Sequence, residues 1–149
     1  LINGAGGGVG TFAVQIAKSF GAEVTGVCST RNLDMVRSIG AENAIDYTQE
    51  DFTMCGKHYD LVYDAVGNRS VSEYKRALKS RGTCIITGFT TMSRLFQHMI
   101  LGSLVSKTGN RKVGIQGVAK PNKKDLVIIK ELLEAGTIKP VIDTCSATI

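Results

Sequence analysis

The chain has 149 residues and a formal net charge of +5, with 43% hydrophobic and 21% charged residues. This length suits one compact domain with its own core, and the composition excludes a disordered or collagen-like chain. No apolar run approaches the roughly 20 residues that span a bilayer, so we expect no membrane contact.

Cysteines and charges exclude further classes. The four cysteines lie far apart, which disfavours a zinc lobe and a disulfide framework and favours a reducing, cytoplasmic setting. Residues 75–149 hold thirteen Lys/Arg and four Asp/Glu, against five and nine in residues 1–74. These cations are dispersed and lack interleaved aromatic residues, so we expect a solvated face and no nucleic-acid partner.

Apolar residues recur with strand-like and helix-like spacings in alternation along the chain. Strands are predicted at residues 1–3, 23–28, 44–47, 59–66, 82–87 and 112–118. Helices are predicted at residues 9–20, around 33–39, and at 70–78, 94–105 and 123–135, before an extended piece at 140–143. Parallel neighbours need a crossover, usually a helix. The pattern therefore predicts an α/β fold, a doubly wound parallel sheet (Rossmann fold) with strand order 3-2-1-4-5-6 and a truncated first strand.

A glycine-rich turn, Ala5-Gly6-Gly7-Gly8-Val9-Gly10, lies between the first predicted strand and helix. Glycines let the backbone approach a pyrophosphate, and the helix N-terminus favours its negative charge. Alanine stands where such turns usually have their first glycine, and a merely flexible loop is the alternative. The strand–turn–helix context favours a dinucleotide site. Because the turn lies at the start of the chain, we expect a fragment of a longer polypeptide.

The end of the second strand bears on the choice of cofactor. A carboxylate there would bind the ribose hydroxyls of NAD, but residues 28–31 contain none. Glu23 is at the wrong end of the strand, and Asp34 lies a turn into the next helix. The hydroxyl of Ser29 and the guanidinium of Arg31 suit a 2′-phosphate, which favours NADPH over NADH. The alternative is that Arg31 is an ordinary exposed residue at a helix start.

Several blocks together resemble the nucleotide-binding half of the medium-chain dehydrogenase/reductases, especially their quinone-oxidoreductase-like branch. The blocks are residues 3–18, 38–41, 45–47, 59–67 and 136–143. The resemblance implies that Gly7, Gly8, Val9 and Gly10 hold the pyrophosphate, and that Ser29, Arg31 and Tyr47 surround the adenosine and its 2′-phosphate. It implies that Asp64, Ala65, Val66 and Gly67 border the cleft and that Gly88 and Phe89 approach the nicotinamide. For Tyr47 and Phe89, plain packing is the alternative.

The resemblance covers only part of such an enzyme. Family members carry an additional N-terminal domain that lines the substrate cleft and, in the zinc-dependent branch, supplies zinc ligands. We therefore expect residues 1–149 to form a single dinucleotide-binding domain without that region. His58 and His98 have no obvious partner in the sequence. No catalytic residue and no metal ligand is assigned to this chain.

These inferences predict the NADP-binding domain of an oxidoreductase that transfers hydride between NADPH and a carbonyl, quinone or activated alkene. We expect a small-molecule substrate and a homodimer formed through the sixth strand. A dinucleotide sensor or pseudoenzyme domain without catalytic activity is the alternative. A complete short-chain reductase would need a Tyr-x-x-x-Lys pair, and none of the four tyrosines has this spacing.

Overall fold

The computed structural model describes residues 1–90, 110–115 and 122–142. The strands are β1 (Ile2–Asn3), β2 (Thr25–Cys28), β3 (Asn43–Asp46), β4 (Tyr59–Asp64), β5 (Leu78–Ile86) and β6 (Lys112–Ile115). The helices are α1 (Gly8–Ser19), α2 (Leu33–Ser38), α3 (Val71–Ala77) and α4 (Lys123–Glu134), with a 3₁₀ turn at Thr30–Asn32.

The six strands form one sheet in the order β3-β2-β1-β4-β5-β6, and every neighbouring pair is parallel. The predicted fold class and strand order are confirmed. The chain order reverses between β1 and β4, which puts the switch point of the sheet at its centre. Strand β6 ends the order, and a homodimer through it stays a prediction.

A hydrophobic cluster lies on each face of the sheet. Val14 of α1 and Val36 of α2 pack with Ile2 on one face. Tyr74 of α3 packs with Val62 on the other face. Side chains of a strand alternate between faces, so α1 and α2 cover one face of the sheet and α3 covers the other.

Most predicted boundaries differ from the observed ones by a residue or two, and two of the differences have a clear physical cause. Strand β4 ends at Asp64 rather than at residue 66, because the Asp64 carboxylate accepts hydrogen bonds from the N–H groups of Val66 and Gly67 and turns the backbone. Strand β5 begins at Leu78, which was predicted to end a helix. Leu78 is buried and pairs with Tyr59, so tertiary pairing overrides local helix preference there.

Some predicted elements lie partly or wholly outside the described residues. The predicted helix at 94–105 and the end of the sixth strand at 116–118 lie outside the described residues. Residues 140–142 are described and form no strand. No described helix is long and apolar enough to cross a membrane.

Candidate functional site at the carboxyl edge of the sheet

The residues predicted to bind the cofactor converge on one edge of the sheet. Each predicted segment directly follows a strand, and parallel strands end at the same edge. The segments are 7–10 after β1, 29–31 after β2, Tyr47 after β3, 64–67 at the end of β4, and 88–89 after β5. Ligands of doubly wound sheets bind at this edge, at the switch point, which here lies between β1 and β4.

The glycine turn is closely packed at one glycine and open at another. A Cβ atom on Gly10 would lie 2.0 Å from the carbonyl oxygen of Gly4, so only glycine lets α1 pack against the turn. A Cβ atom on Gly8 would meet nothing within 4 Å, and Gly7 and Gly8 are exposed. Val9 beside them is 61% exposed. The turn therefore presents bare backbone to the solvent.

The N-terminus of α1 has the features of an anion site. Gly7 is its N-cap residue, no side chain caps the helix, and its first turn contains no acidic residue. The N–H groups of Gly8, Val9 and Gly10 lie in that turn, where a helix offers no backbone acceptor. The helix dipole also favours negative charge there. This cradle fits the pyrophosphate of a dinucleotide.

The segment after β2 lies against the glycine turn. A Cβ atom on Gly6 would lie 2.5 Å from Nδ2 of Asn32, so the Asn32 side chain contacts the turn. Ser29 is half-buried and precedes the 3₁₀ turn, and Arg31 is exposed within it. The predicted 2′-phosphate residues are thus next to the predicted pyrophosphate cradle, and the Arg31 side chain is accessible to solvent.

The end of β3 lies beside the same segment. Tyr47 donates its N–H to the carbonyl of Cys28 at 3.1 Å, and its side chain is 57% exposed. Packing in the core therefore does not account for Tyr47. Its neighbour Asp46 accepts a hydrogen bond from Oγ1 of Thr30 at 2.5 Å.

Asp64 has a different position from the other predicted residues, because its carboxylate is fully buried. It accepts hydrogen bonds from Nδ2 of Asn3 at 2.9 Å and from Oη of Tyr74 at 2.5 Å. It also accepts the N–H groups of Val66 at 2.7 Å and Gly67 at 2.8 Å. With these four donors its oxygens are directed into the protein, so Asp64 shapes the cleft wall and holds the turn after β4.

Burial and the negative charge of Asp64 both raise the pKa of Tyr74 far above its ordinary value. The Tyr74 hydroxyl therefore stays protonated and is the donor of the hydrogen bond to Asp64. The buried pair behaves as a fixed structural unit of the cleft wall.

The turns after β4 and β5 interlock through two glycines. A Cβ atom on Gly67 would lie 1.9 Å from the carbonyl oxygen of Gly88, and one on Gly88 would lie 2.1 Å from that of Ala65. Gly67 also has a φ of +66°, a conformation that favours glycine. Phe89 is half-buried and packs against the core, which agrees with the alternative that its role is plain packing. These turns form the side of the edge next to β1.

Four contributing residues were not singled out by the sequence reasoning. They are Asn3, Asp46, Thr48 and Tyr74. A signal existed for Asp46 and Thr48, because Asp-x-Thr at the end of a strand is typical of a turn stabilised by its own side chains. Tyr74 had no such signal, since its partner is ten residues away and only the fold brings them together.

A cavity of about 1100 Å³ lies elsewhere, between α1, one face of the sheet and α4. Its walls are mainly apolar, with Phe12 and Ile16 on one side and Ile129 and Leu133 on the other. Of the predicted site residues it includes only Val9. We place the candidate site at the carboxyl edge because the backbone donors and the exposed cation lie there. Within the described part of the chain, no group of three or more His, Cys, Asp or Glu residues could hold a metal ion.

Comparison with known proteins gives matches to one family. The family model described as a zinc-binding dehydrogenase matches residues 8–128. The chain is 34% identical over 148 residues to the chloroplastic quinone-oxidoreductase QR1 of Triphysaria versicolor. This match covers 97% of this chain and 44% of that protein. It is 33% identical over 146 residues to the chloroplastic NADPH-dependent alkenal/one oxidoreductase of Arabidopsis thaliana, covering 96% of this chain and 32% of that protein.

The fold has matches among solved structures. The quinone oxidoreductase of Coxiella burnetii superposes with a TM-score of 0.76 at 25% sequence identity, over 95% of this chain and 43% of that chain. This chain therefore spans less than half the length of the relatives and the structure that it matches.

Proposed function

Because the chain belongs to the zinc-binding dehydrogenase family of medium-chain dehydrogenase/reductases, we propose that it is the NADPH-binding part of an oxidoreductase. The relatives are named as oxidoreductases of quinones and of alkenals and alkenones. The whole protein would transfer hydride between NADPH and a carbonyl, quinone or activated alkene. This chain's share of that activity is to bind and orient the nucleotide.

One observation carries the proposal: the N-terminus of α1 is open to an anion. Its first turn lacks a side-chain cap and an acidic residue, and the glycines in front of it leave room for a phosphate group. Gly8, Val9 and Gly10 would hold the pyrophosphate with their N–H groups, and Gly7, whose own N–H donates to the carbonyl of Gly4 at 3.0 Å, would let it approach the backbone. The turn 65–67 and Gly88 would form the wall beside the nicotinamide, with Asp64 holding that wall in place.

The preference for NADPH rests on the segment after β2. Ser29 and Arg31 would bind the 2′-phosphate, with Tyr47 beside the adenosine, since a guanidinium forms paired hydrogen bonds to phosphate oxygens. Arg31 is exposed and takes part in no ion pair among the described residues, so it is available for a ligand. One of the relatives is itself named as NADPH-dependent.

The bound nicotinamide supplies the hydride chemistry, while the protein supplies orientation and electrostatics. No catalytic residue is assigned to this chain, and its described residues contain no group of three or more His, Cys, Asp or Glu that could hold a metal ion. The chain by itself would therefore bind NADPH with little turnover of substrate. A cytoplasmic location stays a prediction, because the two relatives described above are named as chloroplastic.

Substitution of Arg31 tests the proposal. Loss of a charge-assisted hydrogen bond costs about 1.5–3 kcal/mol, so Arg31→Ala should weaken NADPH binding by roughly tenfold or more. NADH has no 2′-phosphate, so its affinity should change little. Fluorescence titration of both nucleotides measures the ratio. Arg37→Ala is the control, since Arg37 is exposed on α2 and pairs with Asp34.

Two results would contradict the proposal. If Arg31→Ala leaves the ratio of NADPH to NADH affinity unchanged, the 2′-phosphate assignment is wrong. If the unmodified chain binds neither nucleotide, or reduces substrates efficiently by itself, the proposed role as a nucleotide-binding part is wrong.

A further inference from the structure

The end of β3 brings a carboxylate to the place where the end of β2 lacks one. Asp46 is the last residue of β3 and is in register with Cys28, the last residue of β2. Its Oδ2 accepts a hydrogen bond from Oγ1 of Thr30, the residue directly before Arg31. The next residue in the chain is Tyr47. Asp46 is therefore hydrogen-bonded to the residue that precedes Arg31 and is itself followed by Tyr47, the two residues that would lie at the adenosine 2′-phosphate.

The Asp46 carboxylate is held in place by three donors. Besides Thr30 at 2.5 Å, the N–H group and Oγ1 of Thr48 donate to Oδ1 at 2.9 and 2.7 Å. The hydrogen bonds from Thr30 and then Thr48 lower the pKa of Asp46, so it is ionised at neutral pH. These bonds come from neutral groups and leave its negative charge in place.

That charge is not offset by an ion pair. Among the ion pairs formed by described residues, none involves Asp46 or Arg31. The field of Asp46 also extends to the end of β2: burial, and after it the charge of Asp46, raises the pKa of the Cys28 thiol. The residues around the candidate 2′-phosphate position thus include a cation, Arg31, and an anion, Asp46.

The two charges have opposite effects on a bound 2′-phosphate. Arg31 attracts a 2′-phosphate, whereas a fixed carboxylate repels it through the same Coulomb interaction. A neutral 2′-hydroxyl is not repelled and can donate a hydrogen bond to a carboxylate. We propose that Asp46 is a specificity-determining residue that limits the preference for NADPH provided by Arg31, so that the chain also accepts NADH. This inference rests on the proposed nucleotide-binding function.

A purely structural role predicts a different result. Asp46 links the segment after β2 to the turn after β3 through Thr30 and Thr48. Loss of this link alone would lower the affinity for NADPH and the affinity for NADH by the same factor. A role in specificity changes the ratio of the two affinities. The ratio therefore separates the two roles, whatever happens to stability.

Asp46→Asn provides the test, because it keeps the side-chain shape and an acceptor for Thr48 while it removes the charge. Titrations of the full 149-residue chain with NADPH and with NADH should show the affinity ratio shift towards NADPH by about three- to tenfold at low salt. The shift should shrink in high salt, because screening weakens the repulsion in the unmodified chain. Asp46→Ser removes the same charge, keeps a hydroxyl acceptor, and should shift the ratio in the same direction.

Asp60→Asn is the matched control, since it removes one carboxylate charge near the amino end of β4, away from the carboxyl edge of the sheet. Its ratio of NADPH to NADH affinity should equal that of the unmodified chain. An unchanged ratio in both Asp46 variants, or an equal loss of affinity for both nucleotides, overturns the inference and leaves the proposed function standing. Failure of the unmodified chain to bind either nucleotide overturns the proposed function and this inference with it.

Discussion

The turns after β1 and β4 lie side by side at the carboxyl edge, because the two strands are neighbours, yet they are built in opposite ways. The β1 turn consists of glycine-rich backbone, and α1 begins without a side-chain cap. The β4 turn is organised around the buried carboxylate of Asp64, and α3 begins with a capping box between Ser70 and Glu73.

The difference concerns which backbone donors the protein itself satisfies. Asp64 takes the N–H groups of Val66 and Gly67, so the β4 turn offers few donors to a ligand. The first turn of α1 meets no such acceptor from a side chain. A ligand anion competes well only for donors that the fold leaves to solvent. The β1 turn is therefore suited to bind phosphate, and the β4 turn is suited to be a rigid wall.

The largest effect on stability is expected from Asp64→Ala, which removes the buried carboxylate that organises the β4 turn. It removes the acceptor of four donors in a buried site, so the free energy of unfolding should fall by about 3–5 kcal/mol. Urea denaturation measures the change. Asp60→Ala on the same strand removes an exposed carboxylate paired with Lys79 and should lower the free energy of unfolding far less than Asp64→Ala. Equal costs for the two variants would show that the Asp64 network does not support the fold.

A smaller loss of stability is expected from Gly10→Ala in the β1 turn. The new Cβ atom would lie 2.0 Å from the carbonyl oxygen of Gly4, so the helix must shift, at a cost of about 3 kcal/mol. Gly8→Ala is the control, because its Cβ atom meets nothing within 4 Å and its stability should change by less than about 0.5 kcal/mol. Thermal or urea unfolding would count against this packing argument if both variants lost the same stability.

The fold could be predicted because it depends on periodic patterns that the sequence states directly. Alternating strands and helices predict a parallel sheet, and a parallel sheet places all its carboxyl ends at one edge. The candidate site was predicted partly from the glycine turn and partly from the family resemblance, which supplied Gly88 among others, and the structure places these segments at the same edge. The glycine turn itself has a local signature between a strand and a helix.

The remaining features depend on contacts between distant residues. The end of β4 is set by hydrogen bonds of Asp64, whose hydrogen-bond partners and burial cannot be seen in a periodic pattern. The start of β5 is set by pairing of Leu78 with Tyr59. The position of Asp46 beside Thr30 depends on the register of β2 and β3, which the sequence does not state. As a result the end of β2 was taken to be free of carboxylates, although the neighbouring strand supplies one.

The smallest effect on stability, and the sharpest test of the comparison, is expected from Gly7→Ser, which gives α1 the kind of cap that Ser70 gives α3. Gly7 has the extended backbone of an N-cap residue, with φ −90° and ψ 169°, so a serine fits there without strain. Replacing an N-cap glycine by serine should raise the free energy of unfolding by only about 0.3 kcal/mol. The new hydroxyl would also accept a first-turn N–H group and occupy the phosphate cradle, so NADPH affinity should fall by roughly tenfold. Urea unfolding and nucleotide titration of the same variant measure both effects. If NADPH binds Gly7→Ser as tightly as the unmodified chain, the open N-terminus of α1 is not where the pyrophosphate binds.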